Sequence, residues 1–175
     1  MSNEGEGRED NSALVERIKQ VFADVPYPSD DNIIGTPEHV AVCDECSGLH
    51  RALAGRRWPE LIEDEDASGH VGHAMSFFSA ADGHYYLPAY LVQRINRKRF
   101  SSLHFSPRTD PELIEFWEDR VSRLTGDQCR AVIAYLLVVL REDASSRYAR
   151  ERDREAAEHW KENYRKITSQ NQGAG

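Results

Sequence analysis

A chain of 175 residues has room for one ordinary domain, with a core large enough to close without disulfides or metal, and excludes a second large domain. Thirty acidic residues against 22 basic ones, a net charge of −8, argue against a general nucleic-acid binder, which draws its affinity from neutralised phosphates, and favour basic partners. No apolar run of about 18 residues occurs, and the opening MSNEGEGRED is charged, so neither a membrane span nor a signal peptide is expected and the cytoplasm is the expected compartment.

Residues 1–11 are rich in Glu, Gly and Asn and are expected to be a disordered tail, as is the polar stretch 169–175. Leu14, Ile18, Val21, Phe22 and Val25 recur at helical spacing behind Asn11 or Ser12 as cap, and Pro26-Tyr27-Pro28 ends that pattern. Thr36-Pro37-Glu38 then gives a cap, a proline at the first helical position and an acid in the first turn, predicting a second helix from Pro37 to Ala54, stopped by Gly55. Trp58-Pro59 leads into the acids Glu60, Glu63, Asp64, Glu65 and Asp66, and the apolar segment Val71–Phe78 is a helix weakened by Gly69 and Gly72. Ser79 with Asp82 three residues on opens a helix that carries Pro88 inside it, where the missing donor predicts a kink.

Phe100–Ser106 reads as a short strand or extended loop, and Asp110-Pro111 begins a helix bearing Leu113, Phe116, Trp117, Val121 and Leu124. Thr125 and Gln128 form a capping box for the next helix, whose Val132, Ile133, Leu136, Leu137, Val139 and Leu140 make it the expected central buried element. The segment 143–168 is highly charged, with a thin apolar stripe of Tyr148, Ala156, Trp160, Tyr164 and Ile167. The expected fold is therefore an all-α single-domain bundle of six or seven helices with at most one short extended segment, its helical domain at 12–142 and its last member a charged C-terminal helix at 143–168 that either docks or projects; projecting, its stripe would pair with a second copy.

The order Trp58, Met75-Ser76-Phe77-Phe78-Ser79, Tyr85-Tyr86-Leu87-Pro88-Ala89-Tyr90-Leu91 and Leu124-Thr125-x-x-Gln128 resembles a family of small uncharacterised bacterial proteins with a Tyr-Leu-Pro-Ala-Tyr signature. A Cys-x-Glu-Cys element of that family is matched by Cys43-Asp44-Glu45-Cys46. The likeness covers roughly residues 13–140 and implies the fold and a bacterial origin, with no activity to carry over.

Three cysteines, Cys43, Cys46 and Cys129, are an odd number for a disulfide framework and read as thiols or ligands. His39, Cys43, Cys46 and His50 share one stripe of the predicted second helix, but that stripe is about 16.5 Å long at about 1.5 Å per residue, too long for one tetrahedral ion. A zinc site would take Cys43 and Cys46 with one flanking histidine and complete itself from His70 and His73, with His84 a further candidate. The opposing reading places Cys46 at the centre of the core face with Val42, Leu49 and Leu53 around it, as a small hydrophobe. A thioredoxin-like redox role needs the cysteine pair at the start of a helix after a strand, and this reading puts it in the middle of a helix. Cys129, one turn into its helix, reads as core, and Arg94, Arg97, Lys98 and Arg99 as a solvated helix end.

No phosphate-cradling glycine loop, HExxH, Gly-x-Ser-x-Gly elbow or EF-hand loop is present, so no enzyme reading has a named nucleophile. Two functions stay open. One is a non-catalytic interaction protein, immunity- or antitoxin-like, whose acidic surface captures a basic protein partner through Trp58, Tyr85, Tyr86, Tyr90, Trp160 and Tyr164; the structural reading of Tyr85–Leu91, which is favoured, is a kinked helix bent around the core with its tyrosine hydroxyls on polar partners. The other is a small zinc-binding protein, with a structural Cys/His site or a metal-assisted hydrolytic one; beyond zinc, no cofactor is expected.

Overall fold

The computed structural model describes residues 11–31, 33–99, 105, 118–142 and 147–172. Within them the fold is all-helical, as the sequence predicts: α1 Asn11–Val21, α2 Pro37–Val42, α3 Asp44–Leu53, α4 Trp58–Ile62, α5 Glu65–Ala74, α6 Ala80–Asn96, α7 Gly126–Glu142 and α8 Arg147–Gln172. A short helical stretch over 118–122 precedes α7. Of the expected tail 1–11, residues 1–10 lie outside the described residues and Asn11 instead opens α1; most of the extended segment 100–106 and the start of the helix at Asp110 also lie outside them.

The apolar spacing of α1 sends Leu14, Val15 and Ile18 into the core, with Phe22 just past its end. The predicted second helix is corrected to two. Cys43 takes extended backbone angles, φ −111° and ψ 107°, and separates α2 from α3. Its sulfur accepts the Cys46 N–H at 3.4 Å, a side-chain-to-backbone bond that competes with helix continuation. Packing enforces the break, because α3 buries Cys46, Leu49 and Leu53 while α2 buries none of its residues. Gly55, at φ +74°, closes α3 as its left-handed C-terminal residue.

Two further expectations change. The Trp58-Pro59 stretch is the helix α4, with Trp58, Leu61 and Ile62 buried. The segment expected over Val71–Phe78 begins instead at Glu65, because Asp64 accepts the Ala67 N–H at 3.0 Å and caps it, and ends at Ala74.

The central helix is α6, not α7. Ser79 caps it through the Asp82 N–H at 3.2 Å, and almost every residue from Tyr85 to Gln93 is buried. It passes through Pro88 without a break and packs on α1, α4 and α5. In α7, by contrast, Leu137 is exposed. Polar side chains of α6 fasten the neighbouring elements: Tyr86 Oη reaches the carbonyls of Leu53 and Arg56 at 3.1 Å each, and Gln93 donates to the Leu61 carbonyl.

The predicted capping box before α7 is present, with Thr125 N–H to Gln128 Oε1 at 2.9 Å and Gln128 N–H to Thr125 Oγ1 at 3.2 Å. Helix α8 docks along α7. Asp153, Ala156, Ala157 and Trp160 are buried, and Trp160 Nε1 donates to the Phe105 carbonyl at 3.1 Å. The Trp160 side of the stripe is thus core, which removes the projecting-helix route to a second copy. The helix also continues past the expected end at residue 168 to Gln172.

Candidate metal centre

The residues that carry chemistry converge where α2 meets α3. Thr36 starts α2 by accepting the His39 N–H at 3.4 Å, with Pro37 at the first position. The approach is strained: Ile34 sits at φ +111°, a region that β-branched residues avoid, while its side chain is buried. A conformation of that kind costs of order 1–3 kcal/mol and persists only where surrounding structure fixes it.

The turn at Cys43 folds α2 back so that His39 Nε2 lies 3.3 Å from Cys46 Sγ. The ligand atoms of His39, Cys43 and Cys46 all fall within 4.8 Å of one another. His39 is exposed, Cys43 half-buried and Cys46 buried, so the cluster opens to solvent on one side. Cys43 is the N-cap of α3, and its thiol is held below its ordinary pKa, chiefly by the Cys46 backbone N–H and then by the Cys46 side chain. Cys46 moves the other way, up to about 11, first because its thiol is bonded to Cys43 and then because it is buried. One sulfur is therefore prepared to carry negative charge, and the other keeps its proton until a strong Lewis acid, such as a metal ion, displaces it.

The other predicted ligands are elsewhere engaged or apart. His50 points to the Asp30 carbonyl at 2.9 Å, within a staple where Asp30 also accepts the Gly55 N–H at 2.7 Å. His70 is exposed on α5. His73, also on α5, pairs through Nε2 with Glu45 Oε1 at 2.6 Å and lies against Phe77, ring centroids 5.5 Å apart. His84 is bonded to Gln128 Oε1 at 3.0 Å.

Most of the aromatic residues named for a partner surface lie in the core, as the structural reading of Tyr85–Leu91 has it. Trp58, Tyr85, Tyr86, Tyr90 and Trp160 are all at most 5% exposed, and Tyr164 is partly buried with its hydroxyl accepting from Arg130 Nη1 at 2.6 Å. Phe78 stacks on Tyr86, while Tyr85 meets Tyr27 and Tyr86 edge to face, so these rings pack against one another inside the fold. Cys129 is fully buried, and burial pushes its thiol up to about 12, as a core residue requires. In the basic end of α6, Arg97 donates to the Asp64 carbonyl at 3.2 Å and Arg94 to that of Arg99 at 3.2 Å.

The fold and cluster thus define an all-α protein with a Cys₂His group at a helix junction. Residues 10–164 match the model of a family of unknown function, DUF6714, and the chain belongs to that family. No curated protein and no solved structure is matched. Among the described residues no helix is long and apolar enough to cross a membrane.

Proposed function

We propose that this chain is a non-catalytic helical protein that binds one zinc-like ion through His39, Cys43 and Cys46, and that the ion fixes α2 as a surface for a protein partner. The observation that carries this reading is the convergence of three soft ligands from two helices within 4.8 Å, one of those helices having no buried residue to hold it. A Cys₂His set suits zinc, whose tetrahedral preference asks for a fourth ligand. His73 takes that place by leaving Glu45, its present partner.

The ion then does for α2 what the core does for the other helices. It ties His39 to the first turn of α3 and leaves Val42, 84% exposed, facing outward beside the exposed acids Glu38, Asp44 and Glu45. An exposed apolar residue with acids close to it along the chain favours a basic partner, and capture of a basic effector by an immunity- or antitoxin-like protein is the form this function takes. A metal-assisted hydrolase would instead keep the fourth position for water.

Elemental analysis of untagged reduced protein, purified without chelator, tests the reading. We expect about one zinc per chain, with cobalt substitution giving the intense visible bands of a four-coordinate thiolate site. Cys43→Ser, Cys46→Ser and His39→Gln each lower affinity at least tenfold, and His73→Gln lowers it less. A metal-free chain that binds no cobalt would overturn the proposal.

A further inference from the structure

We propose that Cys43 and Cys46 are also a redox pair, closing to an intrachain disulfide by exchange with a small-molecule disulfide of the glutathione type. The correction at Cys43 opens this possibility. The cysteine pair lies at the start of the ten-residue helix α3, not in the middle of a longer one, which is where Cys-x-x-Cys pairs perform exchange chemistry. The two sulfurs are within 4.8 Å of each other. A disulfide needs the sulfurs to close to about 2.05 Å with β-carbons about 3.5–4.5 Å apart, a local movement at the extended turn of Cys43.

Exposure assigns the order of events. Cys43 is half-buried and meets the reagent first; Cys46 is 1% exposed and meets only Cys43. The Cys43 sulfur attacks one sulfur of the reagent, forming a mixed disulfide as the S–S bond of the reagent breaks and the first thiolate departs. The Cys46 sulfur then attacks Cys43 Sγ, the mixed disulfide breaks, and the second thiolate departs. His39 Nε2, 3.3 Å from Cys46 Sγ, is within reach of the proton that Cys46 loses. Two thiols of the protein are oxidised, one external disulfide is reduced to two thiols, and the two protons end on those products. The closed form has lost both sulfur ligands, so oxidation and metal binding exclude each other. The closure itself uses the metal-free chain and does not rest on the metal reading.

The test equilibrates the full-length, metal-free protein with mixtures of reduced and oxidised glutathione, quenches with acid, and measures mass and free thiols under denaturing conditions. Closure predicts a mass loss of about 2 Da and a fall from three free thiols to one, the survivor being Cys129. Cys46→Ser is expected to stop at a Cys43 mixed disulfide, one glutathione heavier. A wild-type chain that keeps three thiols, accumulates the mixed disulfide, or forms interchain dimers would overturn the inference. Cobalt titration of the same reduced sample separates the two proposals: cobalt binding without closure defeats this one alone, and closure without cobalt binding defeats the metal reading alone.

Discussion

His84 shows what one partly buried side chain imposes on this fold. Gln128 Oε1 receives both the Thr125 N–H and His84 Nε2, while Gln128 Nε2 donates to the Val21 carbonyl at 3.0 Å. The amide orientation is thereby fixed and His84 is the donor, neutral in the folded state. Burial holds its pKa below the ordinary value, outweighing the Gln128 bond, with Arg123 adding to the depression. The unfolded chain therefore binds the extra proton first. The stability His84 contributes is complete above the unfolded value of about 6.5 and is lost as pH falls from there through the depressed folded value. Urea unfolding midpoints of the wild type should fall between pH 7.5 and pH 5, and His84→Gln should fall less steeply. Parallel slopes for the two proteins would contradict this role.

At the scale of elements, side-chain bonds at helix ends decide where helices stop. Gln128 joins the start of α7 to α6 and to the end of α1 through one amide. Gln128→Ala removes all three bonds, each of them part-buried, so we expect a loss of about 2–3 kcal/mol in chemical denaturation. Thr125→Ala, which loses the cap alone, should cost about 1 kcal/mol. Such signals were legible in the sequence because they are local: Thr36-Pro37, Ser79 with Asp82, Thr125 with Gln128, and Gly55 each sit where the residue type predicts. The break at Cys43 was not legible, since residues 37–54 have unbroken helical pattern and only the three-dimensional core shows that α2 has nothing to pack on. The candidate site inherited that error. Its residue types could be read from the spacing, but a straight helix spreads His39, Cys43 and Cys46 along a stripe, whereas the turn gathers them. For the aromatic residues the sequence offered both readings, and burial follows the structural one: Tyr85, Tyr86 and Tyr90 line the core, with the Tyr86 hydroxyl on the Leu53 and Arg56 carbonyls.

For the whole molecule, the docking of α8 decides whether the chain is one body. Trp160 fills the space beside Phe105, ring centroids 5.8 Å apart, and its indole N–H meets the Phe105 carbonyl. Trp160→Ala should therefore destabilise the entire protein by about 3–5 kcal/mol in a single cooperative transition; a loss confined to α8, with the remainder unfolding as in the wild type, would contradict the docked arrangement. Stability is distributed unevenly over this body. Helix α6 is enclosed on nearly all sides, while α2 has no buried residue and opens at the lowest cost. The account assigns the missing anchorage to the ion at His39, Cys43 and Cys46. Amide hydrogen exchange over residues 36–46, with and without one equivalent of zinc, measures that directly. The account predicts exchange in α2 slowed at least tenfold by zinc while α6 is little changed, and loss of the effect in Cys43→Ser; zinc-independent exchange across α2 would contradict it.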